Sequence, residues 1–226
     1  MLMQIVWDVT PEIIPGWKTP NYYGLLFVTG IFLGFLTIKR MFKKEGVDEK
    51  TLDTLLIYVV VATILGARLG HVFFYDWDQY KNNLGDIFKV WEGGLASHGA
   101  AIAILIALFI FSKKVSKKSY LWILDRVVAP IAIAGVFIRL GNFANGELYG
   151  SPSTLPWAVQ FRTTAETVHP VQLYEAAFSL LFLPLAWHWA KNPKYPGYAF
   201  FRIVLVHSVV RLFLDGLRPH SSLIGP

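Results

Sequence analysis

Apolar residues fall in six long runs separated by short polar segments, and runs of this length suit helices that cross a bilayer, which takes roughly 17–25 residues. The runs cover about residues 22–38, 52–75, 94–111, 120–138, 171–189 and 198–217. Gly30 with Gly34 and Gly66 with Gly70 form small-xxx-small pairs, which let helices pack closely. Pro184 predicts a kink in the fifth run. Residues 1–20 mix apolar side chains with Asp8, Pro11, Glu12 and Pro15, too broken to span, and are expected at the interface. Between the second and third runs, Leu84, Ile87, Phe88 and Trp91 recur at helical spacing. That pattern predicts a helix lying flat on the bilayer, or one packed on a partner helix. The predicted fold class is an all-α integral membrane protein, a polytopic bundle of about six transmembrane helices forming one domain over residues 1–226. An external interfacial arm is expected at about 76–94, and an external head at about 139–170 between spans four and five.

Charge adds a direction. Lys39, Arg40, Lys43 and Lys44 close the first run, Lys113, Lys114, Lys117 and Lys118 the third, and Lys191 with Lys194 the fifth. By the positive-inside tendency these ends are cytoplasmic, which puts the N-terminus outside. The composition agrees: 54% of residues are hydrophobic, 16% are charged and mean hydropathy is +0.47. The net charge of +6 sits in these clusters and not on a basic face, so nucleic acid is not an expected partner. The opening residues lack a basic n-region, so the first apolar run is expected to be retained. With no cysteine, the chain has no disulfide, no thiolate metal site and no cysteine nucleophile. Any thiol chemistry must take its thiol from a partner.

Several spans carry polar residues at their predicted outer ends, where charge is costly unless it meets protein, water or a ligand. Arg68 and His71 lie three apart on one face of the second span, which suits interface snorkelling or a site equally. Asp125 and Arg126, near the inner end of the fourth span, suit a structural or interfacial ion-pair role. His98 opens the third span, and Arg139 closes the fourth. Arg211, Asp215 and Arg218 share one face of the sixth, as either an anion site or a salt-bridge ladder between helices. The stretch Arg139-Leu-Gly-Asn-Phe-Ala-Asn-Gly-Glu-Leu-Tyr-Gly150 adds amides, a carboxylate and turn-forming glycines. Forked arginine donors suit phosphate or carboxylate, and histidine moves protons near neutral pH. An anion site open to both bilayer and outer solvent suggests a phospholipid head group. The residues alone imply that much and no reaction.

The twelve-residue stretch, followed by Pro156-Trp157-Ala158 and His169-Pro170-Val-Gln-Leu-Tyr-Glu175, resembles the signature of bacterial prolipoprotein diacylglyceryl transferases. Supporting matches are Tyr23-Gly24, Gly66-Ala-Arg-Leu-Gly-His71 with Phe74-Tyr75, Gly93-Gly94 leading to Ser97-His98-Gly99, and Arg211 with Asp215 and Arg218. The resemblance implies transfer of the diacylglyceryl group of phosphatidylglycerol to the lipobox cysteine of a prolipoprotein signal peptide, with release of glycerol phosphate. It also implies a bacterial inner membrane with the active site toward the outer leaflet, and neither cofactor nor metal. His98, Arg139, Arg211 and Tyr23 match the family's catalytic positions. Arg139, Asn142, Asn145, Glu147, Gly150, Arg68, Asp215 and Arg218 are the expected substrate-binding residues. Two features depart from the family: Gly99-Ala100-Ala101 stands where Gly-Gly-Leu is usual, and six spans are visible where the family has seven. The seventh would follow all the motifs named.

Two other classes compete. A lipid or anion transporter would carry polar residues through the inner halves of the spans, and these are mostly apolar. A non-catalytic protein that binds lipoprotein precursors or phospholipid would share every motif and differ only in the outcome of an assay.

Overall fold

The computed structural model describes residues 5–17, 20–90 and 93–219. All six apolar runs are helices: α1 (Tyr22–Lys44), α2 (Glu49–Phe74), α4 (Ser97–Phe111), α5 (Tyr120–Asn145), α6 (Val171–Lys191) and α7 (Tyr198–Asp215), with a single-turn α3 (Trp77–Tyr80) between α2 and α4. Four of them, α1, α2, α5 and α4 with its π-helical extension to Ser116, are long and apolar enough to cross a membrane. The other two are diluted by polar residues, Gln172, Glu175 and His188 in α6 and Arg202, Arg211 and Asp215 in α7. Large apolar side chains lie exposed along the helices, among them Leu25, Phe32, Ile57, Leu65, Leu181, Leu212 and Phe213. Such faces suit lipid, and the chain is an all-α polytopic membrane protein.

The chain forms two compact units, one of residues up to Ile38 together with Asp125 onward, the other Lys39–Leu124. In the first, α1 packs on α5 through the Gly30/Gly34 pair. A Cβ on Gly30 would sit 2.9 Å from Phe137 Cβ, and one on Gly34 would sit 3.2 Å from the Pro130 carbonyl oxygen. Asp125, with no exposed surface, caps the start of α7: its carboxylate accepts from the N–H groups of Gly197, Ala199 and Phe200 at 2.8–2.9 Å. A carboxylate at a helix N-terminus satisfies orphan donors and meets the positive end of the dipole. Asp125, expected in an ion pair, thus serves as a helix cap. The helix α6 runs without a break through Pro184.

Two short strands, β1 (Ile5–Trp7) and β2 (Val159–Phe161), pair in parallel, with Ile5 opposite Val159 and Trp7 opposite Phe161. Their side chains join Val168, Tyr149 and Phe143 in a small aromatic core, so two rings of the signature stretch pack the strand pair on the end of α5.

In the second unit, α2 and α4 meet at Gly66, Gly70 and Gly99. A Cβ on Gly66 would collide with Ala103, one on Gly99 with the Gly66 carbonyl, and one on Gly70 would lie 2.7 Å from Gly99 Cα. Asp48 caps α2 by accepting from Thr51 N–H at 2.6 Å, and that bond holds its carboxyl below the ordinary value. The expected surface helix between α2 and α4 is not continuous: it is α3 and a 3-10 turn over Leu84–Phe88. The carbonyls of Asp86 and Ile87 accept from Arg68, and that of Asp86 also accepts the 3-10 bond from the Lys89 N–H at 3.1 Å. Leu84 and Phe88 stay exposed. Trp91, also expected on that helix, and most of the segment after Arg218 lie outside the described residues.

Candidate active site

Within the first unit, the signature stretch is shaped by how α5 ends. Gly146, at φ +66°, closes the helix: its N–H bonds the Phe143 carbonyl and the Glu147 N–H returns to the Asn142 carbonyl, both at 3.0 Å. This 6→1 and 5→2 pair is a Schellman stop, which favours glycine at the left-handed position. Leu148 follows at φ +56°, a strained setting for a branched side chain. The turn folds Glu147 back on the last helical turn. Asn142 Nδ2 donates to its carboxylate at 2.9 Å and Asn145 Nδ2 at 3.3 Å, while the Asn142 oxygen accepts from Arg139 Nη1 at 3.2 Å. Gln172, wholly buried, donates to the Glu147 carbonyl at 2.6 Å and fixes the turn from α6.

Arg139 reaches the other way, to Glu175 on the first turns of α6. Its Nε lies 2.7 Å from Glu175 Oε2, while Arg211 Nη1 and Arg218 Nη2 lie 2.7 and 2.9 Å from Oε1. One buried carboxylate therefore gathers three arginines from two helices and the turn after them. Asp215 braces two of these, at 2.8 Å from Arg211 Nε and 3.4 Å from Arg218 Nε. Three guanidiniums meet the carboxylates of Glu175 and Asp215, with Glu147 beyond Asn142, and each arginine keeps a terminal nitrogen that could donate to an anion.

Gly150, expected to bind substrate, serves as a crossing point. Its N–H bonds the His169 carbonyl at 2.8 Å and the next N–H bonds the Leu217 carbonyl at 2.8 Å. A Cβ there would sit 2.7 Å from both His169 Cβ and the Leu217 oxygen. This crossing ties the end of α7, with Arg211 and Arg218, to the end of α5. Tyr23 lies flat on Gly141, where a Cβ would come within 2.7 Å of the ring. Its place is beside the helical turn that carries Arg139 and Asn142.

The second unit holds the remaining expected residues. Arg68, 3% exposed, donates to the carbonyls of Asp86, Ile87, Gly93 and Gly94 at 2.6–3.3 Å and lies over the Tyr80 ring. That guanidinium, expected to bind substrate, here holds Asp86, Ile87, Gly93 and Gly94 against α2. Gly94, at φ +71°, leaves the room that Arg68 and His71 occupy. His71 Nε2 pairs with Asp76 at 2.8 Å. His98, exposed in the first turn of α4, has its Nε2 2.6 Å from the Tyr75 hydroxyl.

The structure thus brings together Arg139, Asn142, Asn145 and Glu147 with Arg211, Asp215 and Arg218, and places Arg68 and His98 in the other unit. Glu175, Gln172 and Tyr75 were read only as parts of motifs. The excess of outward arginines in the sequence was the one signal that a carboxylate such as Glu175 had to answer them.

The family model described as prolipoprotein diacylglyceryl transferase matches residues 14–226. Curated relatives carry the name phosphatidylglycerol–prolipoprotein diacylglyceryl transferase. One from Porphyromonas gingivalis is 41% identical over 229 residues, covering 94% of this chain and 77% of the relative. One from Tolumonas auensis is 40% identical, covering 87% and 78%. Another, from Thermosynechococcus vestitus, is 34% identical, covering 93% and 82%.

Proposed function

The chain belongs to the prolipoprotein diacylglyceryl transferase family, and from that premise we propose that it transfers the diacylglyceryl group of phosphatidylglycerol to the lipobox cysteine of a prolipoprotein, releasing glycerol phosphate, as the first step of lipoprotein maturation. The observation that carries this reading is the gathering of Arg139, Arg211 and Arg218 on Glu175.

The cysteine thiol loses its proton, and its sulfur attacks the glyceryl carbon that is bonded to the phosphate oxygen. The C–O bond breaks and its electron pair leaves on that oxygen. A phosphodiester with one negative charge becomes a phosphomonoester gaining a second. Positive donors fixed beforehand around the phosphate are worth more at that moment than before it, which is the condition for speeding the step. Arg139, Arg211 and Arg218 supply them, with Asp215 orienting Arg211. Asn142, Asn145 and Glu147 hold the polar head group beside Arg139, and Tyr23 closes that side.

A free thiol titrates near ~8.5, so a base is needed to populate the thiolate at neutral pH. His98 takes that role. The arginine cluster faces the outer leaflet of the bacterial plasma membrane, because the basic ends of α1, α6 and the segment after α4 belong inside. The test is purified protein with phosphatidylglycerol and a lipobox peptide, read by mass spectrometry. A peptide that gains one diacylglyceryl mass on its cysteine supports the reading. A peptide that binds but gains no mass favours a non-catalytic carrier.

A further inference from the structure

The contact between Tyr75 and His98 bears on how the thiol loses its proton, and it rests on the transferase reading above. The Tyr75 hydroxyl and His98 Nε2 are 2.6 Å apart, with ring centroids 5.6 Å apart. A phenol O–H is a better donor than an imidazole N–H, so this contact favours Tyr75 O–H as the donor to Nε2. In the tautomer that accepts this bond the ring hydrogen sits on Nδ1 and the phenol occupies Nε2, which leaves no lone pair of His98 for an incoming thiol.

We infer that Tyr75 is a catalytic residue that relays the proton: the cysteine S–H donates to the Tyr75 oxygen while the phenolic proton passes to His98 Nε2. The S–H bond breaks and its electron pair stays on sulfur as the nucleophile. Tyr75 ends neutral, with a new O–H bond, and His98 ends as imidazolium with hydrogens on both nitrogens. No other reactant is needed. Local structure holds Tyr75 in position for this relay. It sits where α2 stops, its N–H bonded to the His71 carbonyl at 3.0 Å. Its ring stacks on His71, which is held by Asp76. Close packing of Gly70 on Gly99 brings the end of α2 to the first turn of α4, where His98 stands.

Histidine-selective 15N NMR on the resting protein in detergent, without lipid or peptide, reads the tautomer. The expected result is a bare, hydrogen-bonded Nε2 and a protonated Nδ1 on His98; a protonated Nε2 would overturn the relay, with no variant needed. In the transfer assay, Tyr75→Phe keeps the ring and its stacking and is expected to lower turnover by about 10²-fold or more, the range of a positioned proton-transfer group. It should fall within several-fold of His98→Asn, and the double variant should fall no further. An active parent beside an equally active Tyr75→Phe overturns the relay alone. A parent that moves no diacylglyceryl group overturns the transferase reading and the relay with it.

Discussion

Replacing Glu175 by glutamine tests the arginine cluster at its centre. The carboxylate is 8% exposed and its three arginine partners 26%, 36% and 18%. Removing one member of a buried ion pair costs about 3–5 kcal/mol, and the partly wet arginines reduce that to about 2–3 kcal/mol here. The amide changes the bonds unequally. With the amide oxygen still accepting from Arg211 and Arg218, the uncharged NH2 takes the place of Oε2 beside Arg139 Nε and the ion pair there is lost. Arg139 therefore loses its anchor, and the cluster gains a full unit of positive charge. The two effects separate in kinetics. Phosphatidylglycerol should bind as well as before or better, because the site is more positive. Turnover should fall by about 10–100-fold, because about 1.4–2.8 kcal/mol of transition-state orientation is lost. The assay is initial rate against phosphatidylglycerol mole fraction in mixed micelles, with thermal melting of the same preparation. If turnover per folded molecule is unchanged while the melting temperature drops, Glu175 is a strut between helices and the orientation argument is wrong.

Arg139→Lys should lose most activity despite its retained charge, since one ammonium cannot serve Glu175 and Asn142 and still present a fork to phosphate; a Lys variant with near-parent turnover would show that charge suffices. Arg68→Met should loosen the 86–94 segment, read as faster amide exchange at Asp86 to Gly94, with the phosphatidylglycerol KM little changed; a large rise in KM without faster exchange would return Arg68 to the substrate. The chain has no cysteine of its own, so single cysteines at Asn83 and Ser116 can be labelled cleanly with an impermeant reagent. Asn83 should label in intact cells and Ser116 only after permeabilisation; the reverse pattern places the arginines on the cytoplasmic side.

The six helices were legible because their signal is local. A run of apolar residues long enough to span sets its own hydrogen bonds whatever lies beside it, and each run was found with ends shifted by a few residues, as α1 extending to Lys44. The shared face of Arg211 and Asp215 was legible for the same reason, since helical spacing alone decides it; Arg218, expected on that helical face, lies past the end of α7 and reaches Asp215 from the turn. The signature stretch and its supporting motifs likewise point to the family on residue identity alone.

What tertiary structure decided were partners across long separations. Nothing near Arg211 says that its anion is Glu175, 36 residues earlier, or that the same carboxylate serves Arg139. Arg68 reads equally as a snorkelling or substrate-binding cation until the chain folds and four carbonyls from residues 86–94 arrive around it. Where a surface helix was predicted, the chain instead makes a 3-10 turn over Leu84–Phe88, and the carbonyls of Asp86 and Ile87 in that turn also accept from Arg68. The pairing of Ile5–Trp7 with Val159–Phe161 and the capping of α7 by Asp125 also join residues far apart in sequence. Periodicity reports which way a side chain points from its own helix, and only the packed chain supplies the group it meets there.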